Sequence, residues 1–448
     1  MKNKSFLLAL MAGSSLACAP PVFAQENGEQ AAEPASLTPE EAAAKAAFLE
    51  AQVEALQAQL DALKSQVGSV TPGWKGAPQF TDKESGWSFK PRGRLQLDAG
   101  WVGRPDGVTD RSLGFANEIR RARLGVEGTV PGGFGYKFEL DFADNNVEIT
   151  DALLSYDASA RLGLVIGQHN GFQSLEELTS SRFLSFMERA AFTDAFNFER
   201  RLGVSATYTS GNVIASAGVF TDNVTDLAND ENDALGFDAR LVFAPKVGNA
   251  QLHFGGSAHL RDNGDLAVTG ITTRYRQRPL VHTTDVRFLA TPALAVKKET
   301  NYGLEAAAIS GPFHAAGEVH WLKANRLAGV DPTFFGGYAE VGYYLTGETR
   351  GYKNGQFDRT KVLKPVGQGG FGAVQINLRY DHLDLNDGGI LGGRQRGYQA
   401  SLVWIPQDYV RFLLNYGRMS YGDAAIPAAG GDRDYSIDVF GARTQIDF

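Results

Sequence analysis

A single cysteine, Cys18, stands in 448 residues, and it lies in the N-terminal segment. Once that segment is removed no thiol remains, which excludes disulfides, cysteine–zinc centres and cysteine nucleophiles. Beyond the N-terminus no apolar run reaches the ~18–20 residues that a membrane-crossing helix needs. Positive charge is not in excess either. The 43 Lys and Arg against 51 Asp and Glu give a net charge of -8, which argues against nucleic acid as a partner. No Ser-His-Asp arrangement stands out. Gly367-Gln368-Gly369-Gly370-Phe371-Gly372 spells G-x-G-x-x-G but precedes a strand pattern instead of opening a helix, so it does not indicate a dinucleotide. His314 and His320, with Glu318 between them on one strand face, have the spacing of a metal site, but polar filler is the plainer account. The chain is expected to work without metal or cofactor and without enzymatic chemistry.

What is present is glycine (52), phenylalanine (28) and a pattern that changes along the chain. Residues 1–24 read as an export signal: Lys2 and Lys4 ahead of an apolar stretch, and Val22-Phe23-Ala24 as the cleavage site. A lipoprotein signal ending at Cys18 is the competing reading, disfavoured by Pro20 and Pro21. A linker follows. Leu49, Val53, Leu56, Leu60, Leu63 and Val67 then form a heptad seam. Thr38-Pro39-Glu40-Glu41 starts this helix and Gly68 and Pro72 end it, so residues 39–67 are expected to be helical. Three heptads are marginal alone, and the seam predicts a coiled coil, as in a homotrimer. Residues 25–79 are accordingly linker and coiled coil.

From residue 86 the period becomes two. In Phe89–Trp101 the odd positions Leu95, Leu97, Ala99 and Trp101 are apolar, while Arg92, Arg94, Gln96 and Asp98 alternate with them. Tyr136, Phe138, Leu140 and Phe142 oppose Lys137, Glu139 and Asp141 in the same way, and so do Val374, Ile376, Leu378 and Tyr380 against Gln375, Asn377, Arg379 and Asp381. About sixteen such strands fit residues 80–448. Apolar stripes tipped with Tyr, Phe or Trp match the lipid-facing band of a transmembrane β-barrel. A soluble sandwich also alternates, but its core cannot hold this many charges, whereas a wet lumen can. Long connections are expected near 168–198, 261–300 and 350–370, with long loops at one end of the barrel and short turns at the other. The last strand ends on Phe448, which resembles the signal read by the outer-membrane barrel assembly machinery.

Within this acidic chain Arg274, Arg276 and Arg278 alternate with Tyr275 and Gln277. In an extended segment all three guanidinium groups share a face, and such a row needs water, counter-ions or an anionic ligand. The expectation is a lumenal row that passes small anions. The alternative is an exposed loop face against lipopolysaccharide phosphates.

Several stretches together resemble the phosphate-selective porin family (the porin O/P type) of Gram-negative outer membranes. They are Gly93-Arg94-Leu95-Gln96, Ile119-Arg120-Arg121-Ala122-Arg123, Ser180-Ser181-Arg182 with Met187-Glu188-Arg189, the Arg274/Arg276/Arg278 row, and Leu345-Thr346-Gly347-Glu348-Thr349-Arg350-Gly351-Tyr352. The resemblance implies an all-β fold, a 16-stranded antiparallel transmembrane barrel, assembled as a homotrimer in outer-membrane lipid. It also implies an inward-folded third loop and an arginine ladder for phosphate-like anions. Carried over residue by residue, the anion-binding set would be Arg94, Arg120, Arg121, Arg123, Arg182, Arg274, Arg276 and Arg278. Two positions depart from the family pattern: Arg123 stands where relatives often have an aromatic residue, and Leu280-Val281-His282 interrupts the basic row. A general-diffusion porin is the alternative function, and a barrel adhesin or enzyme a more distant one.

Overall fold

The computed structural model describes residues 38–67, 70–74, 76–225, 234–264, 270 and 272–448. The expected export signal, Cys18 and most of the linker lie outside the described residues. The chain divides into one unit ending at Gly68 and a second spanning Ser69–Phe448.

Helix α1 runs Pro39–Val67. It opens on a capping box: Thr38 Oγ1 accepts from the Glu41 N–H (3.3 Å) while Glu41 Oε2 accepts from the Thr38 N–H (3.0 Å), with Pro39 in the first helical position. Leu49, Val53, Leu56 and Leu60 on its seam are 50–63 % exposed in the single chain.

Among the described residues of the second unit, sixteen strands close a barrel. They are β1 Ser88–Val102, β2 Gly114–Val130, β3 Phe134–Asp141, β4 Glu148–Asp157, β5 Leu162–Asn170, β6 Arg200–Ser210, β7 Val213–Phe220, β8 Leu235–Phe243, β9 Ala250–Asp262, β10 Val296–Ser310, β11 Phe313–Arg326, β12 Thr333–Tyr344, β13 Ala373–Asp387, β14 Ile390–Gln407, β15 Val410–Gly422 and β16 Tyr435–Asp447. Each pairs antiparallel with its chain neighbour, and β16 returns to β1 with Val439 opposite Val102 and Asp447 opposite Arg94. Phe448 extends this seam, exchanging backbone bonds with Gly93 at 3.0 and 3.1 Å. Closure leaves no open edge among these sixteen strands. The polarity is the reverse of a soluble sandwich. Leu97 is 43 % exposed while its neighbours Gln96 (0 %) and Asp98 (4 %) are buried. An exposed apolar face and an enclosed charged one suit lipid outside and water within.

Of the β-bulges that interrupt the strand pairing, two lie beside the lumenal arginines. In β2, Gln96 faces Arg121 but Leu97 faces Ile119, so Arg120 is the extra residue. In β4, Glu139 faces Asp151 but Leu140 faces Ile149, so Thr150 is extra. One added residue shifts the phase, and consecutive side chains, Arg120 with Arg121 and Thr150 with Asp151, then turn to the same side.

The connections after odd-numbered strands form one end of the barrel and those after even-numbered strands the other. The second end carries short turns, with one exception. The connection expected as a long loop near 350–370 follows β12 and occupies residues 345–372 at the turn end, not with the other long loops. It holds a small hairpin, Gly351–Lys353 paired with Gln356–Asp358. Asn354 (φ 51) and Gly355 (φ 74) form its left-handed turn. The hairpin folds into the barrel: Arg240 Nη2 donates to the Gly355 carbonyl at 2.9 Å, and Tyr352 Oη lies 2.6 Å from His253 Nδ1.

Two loops enter from the opposite end. The third, residues 171–199, carries α2 (Leu175–Leu178) and α3 (Ala191–Ala195). Wall side chains hold its backbone. The Glu318 carboxylate accepts from the Leu175 and Glu176 N–H groups at 2.9 and 2.8 Å, and Asp381 accepts from that of Ala191 at 2.9 Å. Arg411 donates to the Leu184 carbonyl at 2.8 Å, and Ser401 to that of Ser185 at 2.7 Å. Arg379 bridges Glu176 of the loop to Glu340 of the wall. The fifth loop, residues 263–295, spans from Phe334 on β12, against which Tyr275 packs at 5.2 Å, to Glu118 on β2, which His282 meets at 2.9 Å.

Candidate functional site

The three inward segments leave two cavities in the lumen. The inner one, toward the turn end, has a volume of about 520 Å³. Its cationic lining is Arg92, Arg94, Arg121, Arg123, Lys137, Arg182, Arg189, Arg200 and Lys353, and its carboxylates are Glu139, Asp151, Glu177 and Asp358. Nine cations against four acids make it strongly positive, in a chain whose net charge is -8. The outer cavity, about 330 Å³, is nearly balanced: Arg120, Arg121, Arg123, Arg189, Arg200 and Arg278 against Glu148, Glu177, Glu188, Asp194 and Glu199. Arg121, Arg123, Glu177, Arg189 and Arg200 line both, so these five side chains form the neck between them.

The guanidinium groups of the site differ in how far the protein itself satisfies them. Arg123 is held by Asp141 (2.7 Å) and Glu139 (3.3 Å), and Arg200 by Asp151 (3.0 Å), which also binds Lys137 at 2.5 Å. Arg120 is bidentate to Glu188 of the third loop at 2.9 and 3.2 Å. Glu188 also meets Arg443 at 2.7 Å. Burial opposes its ionisation, but Arg120 and Arg443 more than offset this and hold its carboxyl well below the usual range. Arg121 and Arg94 form no ion pair among the described residues. Arg121 donates to Gln96 Oε1 at 2.9 Å, and Arg94 to Ser181 Oγ at 2.6 Å. Both keep unused donor capacity, since a guanidinium carries five N–H groups and no acceptor. Arg182 reaches Asp447 only at 3.6 Å.

The residues expected from sequence thus divide. Arg94, Arg121, Arg123 and Arg182 line the inner cavity, and Arg120 and Arg278 the outer one. Arg274 and Arg276 line neither; both are exposed, on the same side of their segment, with Tyr275 buried between them and Gln277 buried after them. The shared face is as the period-two argument requires, yet of the three only Arg278 lines either of these two cavities. Sequence reasoning missed Arg92, Lys137, Arg189, Arg200 and Lys353 as members of the site. Arg92 and Lys137 read as ordinary lumen charges, and Lys353 sat in a connection assigned to the wrong end. His314 and His320 have separate partners: His320 bonds Asn301 at 2.9 Å and stacks on Phe192 at 4.6 Å, while His314 meets Gln375 at 3.2 Å. Among the described residues no group of three His, Cys, Asp or Glu could hold a metal ion.

The model of a family described as phosphate-selective porin O and P matches residues 89–448. An uncharacterized protein of Caulobacter vibrioides is 51 % identical over 383 residues, 84 % of this chain and 76 % of that one. Porin O of Pseudomonas aeruginosa is 29 % identical over 384 residues, 75 % of this chain and 83 % of that one. Among solved structures, Salmonella typhi OmpF in complex with daunomycin aligns with a TM-score of 0.51 at 10 % identity, over 84 % of this chain and 100 % of that one. The outer membrane channel DcaP of Acinetobacter baumannii aligns with a TM-score of 0.50 at 12 % identity, over 82 % and 99 %. At these identities the structural likeness concerns the fold.

Proposed function

Because this chain belongs to the phosphate-selective porin O and P family of the Gram-negative outer membrane, we propose that it is a passive channel for small oxyanions, phosphate-like ones first. The observation that carries this reading is the inner cavity, where nine cationic side chains face four carboxylates inside an acidic protein. Low-dielectric walls around such a lining raise the local anion concentration. Arg94 and Arg121, free of carboxylates, would exchange hydrogen bonds with a passing oxyanion. Planar guanidinium forks suit two oxygens at once and stay charged at every physiological pH. Conduction also needs release, and sites shared along a path provide it. Arg278 would deliver anions from the outer cavity, with Arg274 and Arg276 acting at longer range. The uncovered seam of α1 supports a homotrimer. Contact of outer-surface residues with lipopolysaccharide, and recognition of Phe448 by the assembly machinery, belong to the same proposal.

A general-diffusion porin is the second reading. What favours it is that Arg120, Arg123 and Arg200 are committed to carboxylates, an arrangement that shapes a field without binding. Titrating phosphate against a chloride current through single channels separates the two. Saturable block by phosphate supports a binding path, and current that changes only with ionic strength supports general diffusion.

A further inference from the structure

Four of the five neck residues are arginines, and an arginine only donates. The fifth, Glu177, is out of character for a passage that attracts anions. Its side chain is 12 % exposed and borders both cavities. It is not needed to hold its neighbour. Arg189 lies 3.2 Å from the Glu177 carboxylate, but is already fixed by the carbonyls of Glu176 (2.9 Å), Glu177 (3.0 Å) and Thr179 (3.1 Å). Among the described residues no donor makes a hydrogen bond to the Glu177 carboxylate, whereas Glu139 and Asp151, the wall carboxylates below it, are each bonded to cationic partners. The neck therefore offers guanidinium donors together with one carboxylate that keeps acceptor capacity beyond its single ion pair with Arg189.

We propose that Glu177 is the specificity-determining residue of the neck, and that it favours anions carrying their own hydrogen-bond donor over anions that only accept. The proposal rests on the anion-channel reading above. A hydroxyl on the passing anion donates to the Glu177 carboxylate while its oxygens take guanidinium bonds, a charge-assisted pair. A fully deprotonated anion presents oxygen to oxygen in a site screened from water, so acceptor faces acceptor unpaired. Hydrogenphosphate and hydroxy acids belong to the favoured class, and sulfate and plain dicarboxylates to the other.

The test is block of the chloride current of the purified full-length channel at pH 8, where hydrogenphosphate and sulfate are both mainly dianions of similar size. Malate and succinate form a second pair differing by one hydroxyl. Phosphate is expected to block at about tenfold lower concentration than sulfate, the size of one hydrogen bond to a charged group, with malate ahead of succinate. E177Q, whose amide both accepts and donates, should bring each ratio to within about twofold. Equal block within both pairs in the unaltered channel, or ratios unchanged in E177Q, overturns the proposal while leaving the anion channel standing. If E177Q fails to assemble, the two ratios in the unaltered channel decide. Loss of all block together with absence of anion preference overturns the anion-channel reading itself.

Discussion

Arg121 and Arg123 stand two residues apart on β2, face the same neck and have different roles. Arg121 has no carboxylate, so R121A removes charge and donors offered to the passing ion and unpairs only a neutral wall group, the Gln96 amide oxygen. We expect half-block by phosphate to shift about tenfold upward, the size of a lost charge-assisted bond, with the heat resistance of the barrel on denaturing gels unchanged. Arg123 is locked between Glu139 and Asp141 with all three side chains 11 % exposed or less. R123A takes the cationic partner from two largely buried carboxylates, which keep only neutral donors, and loss of one partner of a buried pair costs about 3–5 kcal/mol. Its barrel should unfold at lower temperature in the same gel assay. Equal heat resistance of the two variants would contradict this division. Arg276 is exposed and lines neither cavity, so it acts only through the screened field. R276A should lower anion preference in ~10 mM salt, where the screening length is about 30 Å, and lose its effect at 1 M, where it is about 3 Å. An effect of equal size at both salt concentrations would count against it.

At the scale of the element, the strands were the most legible part, because a membrane barrel obeys period two with lipid on one side and water on the other. Leu95, Leu97 and Trp101 outward against Arg94, Gln96 and Asp98 inward needed no tertiary information. The two bulges were not legible. Arg120-Arg121 reads as a break in phase, and only pairing with Gln96 and Leu97 shows that both face the lumen. Nor could spacing show that Glu318, Arg379, Asp381 and Arg411 hold a loop instead of lining a pore, since their partners lie more than a hundred residues away. The inward hairpin at the turn end did leave a signal, Asn354-Gly355, the residue pair that a type I′ turn favours. The prediction at this scale concerns the third loop. Arg379 ties Glu176 to Glu340 deep in the wall, so R379A should release the loop. We expect larger and noisier single-channel conductance and new protease cleavage within residues 171–199. Conductance and cleavage identical to the unaltered protein would show that the remaining bonds suffice.

For the whole molecule, charge separates by location. An acidic chain gathers its cations in the inner cavity, and Glu177 and Arg189 of the third loop help to form the neck above it. The trimer proposal assigns the exposed seam of α1 to assembly and not to conduction. Deleting residues 41–68 should leave a conducting barrel and lower the fraction of trimer on native gels, because three heptads contribute only through association. Abolished conduction in correctly inserted protein would contradict that separation. The central claim is that the lumenal charge, not the net charge, sets what passes. Its most direct test is the reversal potential of the purified channel in a planar bilayer under a tenfold potassium chloride gradient. A potential near the chloride equilibrium value is the result we predict. A potential near zero or of the potassium sign would mean that the cations of the inner cavity are neutralised in place and do not govern the pore.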